Sequence, residues 1–286
     1  MNYFELLQCV KKLKKNYNVK VIGKTKFNRK IIAVEKILNK SFSTAILIAG
    51  MHARENISAD LLLEMIEQNL FKDVKEFNLS FILLSNPDGV ELQSKGLAAF
   101  PKPYHNALIK MNGGASDFSM WKANALGVDL NNNFDARWGT NSHSSRPSSH
   151  GFIGDKAMSE KETRAIANYT KKMKPFITIS YHTKGEEIYF NFFQDEWRKK
   201  RDEKIAMKFA ESTGYKIVNV ESSSSGGYKD WCVEKLNIPA LTIELGSDDL
   251  SHPIGKKHLK DIFVQNKMIA SDLIFAYNEF VKAGEI

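Results

Sequence analysis

Short apolar runs alternate with longer stretches of helical periodicity along the chain. The apolar runs lie at residues 44–50, 79–90, 175–182 and 238–246. Runs of this length, bounded by glycine, proline or polar residues, are typical of strands buried on both faces. Residues 186–193 are predicted to form a further short strand, and residues 19–37 to form two strands around a polar turn.

Apolar residues recur at helical spacing in the segments between these runs. The predicted helices are residues 1–12, 58–70, 159–173, 197–214 and 259–282. Ser159 and Glu162 are spaced as a capping box at the start of the third helix, and Gly214 is placed to end the fourth. The sequence Asn-Pro-Asp-Gly at 86–89 predicts a turn, and the region 91–158 is rich in loop-forming residues.

The order of these elements predicts an α/β fold. Strands that alternate with helices form a largely parallel sheet covered on both sides. We therefore expect a mixed, mostly parallel, twisted central sheet with helices on both faces. We also expect one domain over residues 1–286, with residues 1–18 as an N-terminal helix and lead-in.

Side chains able to bind a metal or move a proton follow three of the predicted strands. His52 and Glu55 come after the first apolar run, His182 closes the third, and Glu244 lies near the end of the fourth. The carboxyl ends of parallel strands meet at one edge of a sheet, where α/β proteins place their sites. The sequence thus predicts that these residues lie together.

These residue types suit zinc hydrolysis. Two histidines and one carboxylate are a good three-ligand set for a single zinc ion, with a fourth position left for water. A zinc hydrolase also needs a base outside the ligand set to take a proton from that water. We assign His52, Glu55 and His182 to the metal and Glu244 to the base. Each metal-binding histidine is expected to have a hydrogen-bond partner on its other ring nitrogen, and Asp129 is one candidate.

Composition and charge exclude several other classes. Lysine and arginine exceed aspartate and glutamate by 41 − 33 = 8, but they are spread along the chain, with no array of basic and aromatic residues that would indicate nucleic-acid binding. No apolar stretch is long enough to span a membrane, and the N-terminal residues do not resemble a secretory signal. Two cysteines cannot form a disulfide framework. A cytoplasmic location is expected, and the oligomeric state is not readable.

Six motifs, in order, make the sequence similar to the zinc metallocarboxypeptidases, the carboxypeptidase A-like enzymes. The motifs are HARE (52–55), NPDG (86–89), GVDLNNNFD (127–135), YHTKGE (181–186), SGGYKDW (225–231) and TIELG (242–246). The resemblance implies the same zinc ligands and the same general base as the chemical argument. It covers roughly residues 20–275.

The resemblance also implies roles around the substrate. Asn131 matches an asparagine that helps to hold a substrate carboxylate, and Arg54 matches an arginine at the border of the cleft. Lys122 stands where the family commonly has an arginine that polarises the scissile carbonyl. Lysine can stabilise an oxyanion as a point charge, although it lacks the fork of arginine.

Two positions depart from the family pattern. Asn132 occupies the place of an arginine that binds the terminal carboxylate of the substrate in ordinary carboxypeptidases, and it is retained here as a candidate substrate-binding residue. A tyrosine commonly found before the SGG motif is absent, and Ser222 stands near its place. These departures argue against capture of a free C-terminal carboxylate in the usual way.

The substrate prediction follows from the remaining cations. Lys229 lies where the family sets side-chain preference beyond the scissile bond, and Lys184 and Arg137 are further candidates to meet a substrate carboxylate. The sequence looks most similar to the bacterial branch that cleaves γ-D-glutamyl–diaminopimelate bonds. We therefore expect a small peptide substrate of the muropeptide class, with no nucleic-acid or membrane partner.

Three alternatives remain at this point. The protein could be an ordinary metallocarboxypeptidase that releases C-terminal amino acids, or an amidohydrolase of N-acyl amino acids on the same scaffold. It could also be a catalytically silent binding protein, although all three metal ligands and the base are present in the sequence.

Overall fold

A computed structural model describes residues 1–219 and 225–284 of the chain. The strands are β1 (Asn18–Lys24), β2 (Lys30–Lys36), β3 (Thr44–Ile48), β4 (Asn78–Ile82), β5 (Ile177–His182), β6 (Glu187–Tyr189), β7 (Lys216–Val218) and β8 (Ala240–Glu244). The α-helices are α1 (Tyr3–Leu13), α2 (Ile57–Glu67), α3 (Pro87–Lys95), α4 (His105–Met111), α5 (Lys161–Met173), α6 (Glu196–Thr213), α7 (Tyr228–Leu236), α8 (Leu259–Asn266) and α9 (Ile269–Lys282).

The described strands form one mixed sheet in the order β1-β2-β4-β3-β5-β8-β6-β7. Its four central strands, β4, β3, β5 and β8, run parallel to one another. Antiparallel pairs join β1 to β2, β2 to β4, and β6 to β8. The predicted mixed sheet with a parallel centre is confirmed.

Helices cover both faces of this sheet. Every residue of β3 is buried, and successive residues point to opposite sides. Ala45 and Leu47 pack with α1, α2, α6, α8 and α9, whereas Ile46 and Ile48 pack with α5 and α7. This burial on both faces explains why the central strands appear in the sequence as continuous apolar runs.

Four local predictions need correction. The turn predicted at 86–89 is the start of α3, because the Asn86 side chain accepts a hydrogen bond from the Gly89 amide and Pro87 takes the first helical position. The capping box at Ser159 does not form, since α5 begins only after Glu160. The single closing helix is two helices, α8 and α9, separated at residues 267–268. Helix α7 was not predicted.

Both cysteines are free, Cys232 in the core and Cys9 partly buried in α1. Among residues 1–219 and 225–284, no helix combines the length and the apolar composition that a membrane span requires.

Candidate metal centre

The sheet brings the strand-end residues together where its topology reverses. The connection from β3 leads to β4 on one side of β3, whereas β5 lies on the other side. Crevices form at the carboxyl edge of such switch points. His52 follows β3, His182 ends β5, and Glu244 ends β8 directly opposite His182 in the strand register.

His52, Glu55 and His182 present three donor atoms to one point. The two carboxylate oxygens of Glu55 lie 2.8 Å from His52 Nδ1 and 3.0 Å from His182 Nδ1, and the two Nδ1 atoms are 3.2 Å apart. All three side chains are buried. Across the described ranges 1–219 and 225–284, this is the one group of three or more such side chains close enough to share an ion.

The donor set fits one zinc ion. Donors that bind tetrahedral zinc at about 2.0–2.1 Å lie roughly 3.3 Å from one another, close to the separations of these atoms. Because the Asp129 carboxylate accepts a hydrogen bond from His52 Nε2, the lone pair of a neutral His52 ring lies on Nδ1. Lone pairs and a carboxylate that converge in a buried place favour a cation between them.

The outer nitrogen of each ring has its own partner. Asp129 Oδ1 lies 3.1 Å from His52 Nε2, and Ser180 Oγ lies 3.0 Å from His182 Nε2. Such contacts fix the orientation and tautomer of a metal-binding histidine. Ser180 was not predicted. It stands two residues before His182 on the same strand, so the alternation of β-strand side chains places both on one face.

At Glu55 and His52, neighbouring charges oppose the effect that burial has on the pKa. Burial alone would raise the pKa of Glu55, but the charge of His52 and hydrogen bonds from both histidines hold it well below its usual value. Burial lowers the pKa of His182, which favours the neutral ring that a metal requires. Burial also acts to lower the pKa of His52, but the charges of Glu55 and Asp129 outweigh it and raise that pKa.

Glu244 stands beside this group at the end of β8. Its Oε2 atom is buried and unpaired within the part of the chain that the structure describes. Burial, followed by the charge of Glu55, raises the pKa of Glu244 to about 8. A buried carboxylate with a raised pKa at a cavity wall is well suited to accept and return a proton near neutral pH.

Lys122 reaches the same group through Asp129. Its ammonium lies 2.9 Å from Asp129 Oδ2, and its side chain keeps 23% of its surface exposed. Burial acts to lower the pKa of Lys122, but the Asp129 charge outweighs this and raises it, so the ammonium remains charged. Asp129 therefore links the orientation of His52 to the position of a cation at the site.

We expect Asp129→Asn to loosen the metal centre, because the amide can present an N–H to His52 Nε2 where the carboxylate accepts. Loss of such an outer partner costs about 10- to 100-fold in metal affinity or activity. Chelator competition gives the zinc dissociation constant, and exposed Asp135→Asn is the control. Zinc binding as tight as in the wild type would show that Asp129 does not orient His52.

A cavity of about 280 Å³ opens beside Glu244. It is lined by Asn131, Asn132, Tyr189, Gly227, Lys229, Asp230, Thr242 and Glu244. The Asn131 side-chain oxygen Oδ1 accepts a hydrogen bond from the Tyr228 backbone amide, which leaves the Asn131 side-chain amino group as its donor. Asn132 is held close to the glycine pair at 226–227, where a Cβ on Gly226 would lie 2.5 Å from the Asn132 carbonyl oxygen. The cavity places three predicted substrate-binding residues, Asn131, Asn132 and Lys229, beside the candidate base.

Lys229 is part of an ion pair in the structure, whereas the sequence suggested an unpaired positive charge. Its ammonium lies 2.5 Å from Asp230 Oδ1 and donates to the Asn191 carbonyl oxygen at 2.7 Å. Asp230 was not predicted, although it is the next residue in the sequence. Tyr189 and Thr242 are further lining residues that sequence reasoning missed.

Lys184 and Arg137, the other two cations predicted to meet a substrate carboxylate, do not line the cavity beside Glu244. Lys184 donates to the Asp248 carbonyl oxygen, and Arg137 is half exposed, stacked on Phe193 with Nε 3.2 Å from Glu234. Neither lines the cavity beside Glu244, so the geometry lends no support to a substrate role for either.

Arg54 is partly buried, and its Nε makes no hydrogen bond to any described residue. It is therefore available for a ligand beside the metal group, two residues after His52. Ser222 lies outside the described residues.

Comparison with known proteins agrees with this geometry. Residues 4–266 match the model of the zinc carboxypeptidase family. Gamma-D-glutamyl-L-diamino acid endopeptidase 1 of Lysinibacillus sphaericus is 30% identical over 224 residues, which cover 73% of this chain and 56% of that protein. Murein peptide amidase A of Escherichia coli is 26% identical over 224 residues, 74% of this chain and 76% of that protein. The chain thus spans little more than half the length of the first relative.

Solved structures show the same fold. The bovine thrombin-activatable fibrinolysis inhibitor superposes with a TM-score of 0.80 over 99% of this chain and 98% of that one, at 16% sequence identity. The fold is therefore shared with a protein whose sequence has diverged widely.

Proposed function

Because the chain belongs to the zinc carboxypeptidase family, we propose that it is a zinc-dependent peptidase that hydrolyses an amide bond in small peptides derived from peptidoglycan. The bond proposed is that between γ-D-glutamate and diaminopimelate. We also propose that residues 1–286 form one domain that carries this activity.

The observation that carries the proposal is the juxtaposition of two groups. His52, Glu55 and His182 converge within hydrogen-bond distance of one another, and Glu244 borders a cavity beside them. A zinc ion bound there supplies Lewis acidity and lowers the pKa of a water molecule. Glu244 supplies the base that such a reaction needs and that the ligand set itself cannot provide.

The protein side chains have separate roles in the proposed reaction. Glu244 takes a proton from the attacking water and delivers it to the leaving amine, so the same carboxyl group serves both halves of the reaction. Lys122 has donors besides the one that meets Asp129, and these can stabilise the oxygen anion that develops on the carbonyl. Asn131 and Arg54 position the peptide on either side of the bond.

Two observations support a peptidoglycan peptide as the substrate. One relative is a gamma-D-glutamyl-L-diamino acid endopeptidase and another a murein peptide amidase. In addition, Asn132 stands in place of the arginine that the family resemblance leads one to expect, and Asn132 lines the cavity without offering a charge. A site without that arginine lacks the bidentate contact to the α-carboxylate of a C-terminal residue, which suits a leaving residue that can be recognised through its side chain as well.

We expect the protein to release diaminopimelate from L-Ala-γ-D-Glu-diaminopimelate faster than it releases a C-terminal hydrophobic or basic residue from an N-acylated peptide. The comparison uses kcat/KM for both substrates at equal zinc loading. A tenfold preference is about 1.4 kcal/mol of differential transition-state binding. Faster release from the ordinary peptide would favour a metallocarboxypeptidase, and activity on N-acyl amino acids alone would favour an amidohydrolase.

A further inference from the structure

We propose that the Lys229–Asp230 ion pair makes the cavity selective for a zwitterionic side-chain end, as found on diaminopimelate, over a singly charged one such as lysine or glutamate. This inference rests on the proposed function and identifies which part of the leaving residue is recognised. Asp230 becomes a specificity-determining residue that the sequence motifs did not single out.

The pair is built into the cavity wall. Lys229 and Asp230 open helix α7, and their side chains are 7% and 1% exposed. The Asp230 carboxylate also accepts a hydrogen bond from the Gly227 amide, and the Lys229 ammonium lies over the Phe192 ring, 5.4 Å from its centre. Both charges are therefore fixed in position before a substrate arrives.

The pair itself adds no net charge to this wall. Lys229 is the one cation among the described residues that line the cavity, and Asp230 compensates it at 2.5 Å, so that Glu244 is the other ionisable acid in the lining. A lone carboxylate entering this cavity would meet Asp230 as well as Lys229, and a lone ammonium would meet Lys229 as well as Asp230.

A zwitterion avoids that conflict. The Lys229 ammonium has three N–H groups, and its contacts with Asp230 and with the Asn191 carbonyl oxygen leave one donor for a substrate carboxylate. The Asp230 carboxylate borders the same cavity and can accept from a substrate ammonium next to that carboxylate. The far end of diaminopimelate carries both groups on one carbon, so each charge of the pair meets its opposite.

The test uses two substrate series that differ only in the residue after the scissile bond: diaminopimelate, lysine or glutamate. One series has the L-Ala-γ-D-Glu acyl group, and the other has an ordinary N-acylated alanine. The variants are Asp230→Asn and Lys229→Gln, with Lys235→Gln on the exposed side of α7 as the matched control. Calorimetry on Nα-acetyl-diaminopimelate, Nα-acetyl-lysine and Nα-acetyl-glutamate, of which only the first keeps an ammonium and a carboxylate on one carbon, provides a readout independent of turnover.

Wild-type protein and the Lys235→Gln control are expected to prefer diaminopimelate at least tenfold over both rivals. Asp230→Asn leaves Lys229 uncompensated and should shift the preference toward glutamate about tenfold or more, whereas Lys229→Gln should shift it toward lysine. Shifts in opposite directions reflect charge, because general damage to the cavity would weaken all three substrates together.

The outcomes separate the two proposals. Equal use of the three residues by the wild type, or shifts in the same direction in both variants, overturns the ion-pair inference. Cleavage of the alanine series alone overturns the γ-glutamyl assignment, and the residue preference is then read in that series. If neither series is cleaved, the calorimetric order of the three Nα-acetylated residues decides: diaminopimelate binding tightest supports the ion-pair inference, and any other order overturns it.

Discussion

Glu244→Gln is expected to lose about 10²- to 10⁴-fold in kcat, the range that a positioned general acid–base contributes, while zinc binding stays unchanged. Glutamine has nearly the same shape as glutamate but cannot take a proton from water. Glu244 is also not one of the three converging donors, so its loss removes no metal ligand. Turnover and zinc content, measured on the same preparation, test both halves of this expectation.

The control for Glu244→Gln is Asp249→Asn, which removes an exposed acid five residues further along the chain and should leave activity near that of the wild type. A Glu244→Gln variant that keeps most of its turnover would remove Glu244 from the mechanism. A variant that loses zinc together with activity would instead assign Glu244 to the metal.

His182→Ala should abolish stoichiometric zinc binding and reduce activity by at least about 10³-fold. The substitution removes one donor and leaves Glu55 Oε2 without the ring nitrogen that lies 3.0 Å away. His52 still lies 2.8 Å from the other Glu55 oxygen, so the substitution removes one hydrogen bond to a buried charge. Such a loss costs about 1.5–3 kcal/mol, and the metal-free variant should therefore also unfold more easily. Binding to the native state alone stabilises a protein by about 4 kcal/mol at a thousandfold excess over Kd.

The sharpest readout for His182→Ala is the change in Tm on adding zinc. Wild-type protein should gain stability with zinc, and the variant should not. Exposed His143→Ala, which removes a histidine far from the converging donors in sequence, should behave as the wild type. A His182→Ala protein that still binds one zinc per chain with an undiminished rise in Tm would contradict the assignment.

The sequence predicted the central strands well because their burial is nearly complete. A strand covered on both faces needs apolar residues at successive positions, and this composition can be read without knowing its neighbours. Boundaries that depend on a hydrogen bond to one side chain were less accessible. Asn86 can open a turn or cap a helix with the same residues around it, and only the path of the following chain selects the helix.

The metal group was predictable in its members, but of the residues that orient its histidines only Asp129 was named as a candidate and Ser180 was not. His52 and Glu55 are neighbours in the sequence, and His182 shares their position at a strand end. Asp129 and Ser180, which hold the outer nitrogens of the two rings, lie in different segments. Ser180 had a local signal in the strand alternation, whereas the contact of Asp129 with His52 spans 77 residues.

The sequence by itself determined the alternation of strands and helices, the chemistry available at the strand ends and the absence of the expected arginine at Asn132. The tertiary structure decided the charge that each cation presents. Lys229 meets Asp230, Lys184 meets Asp248 and Arg137 meets Glu234, so none of the three is the bare charge that the sequence suggests. Residue pattern reports which side chains are buried, but the effective charge of a buried or tethered ion depends on the partner that packing places within a few ångströms.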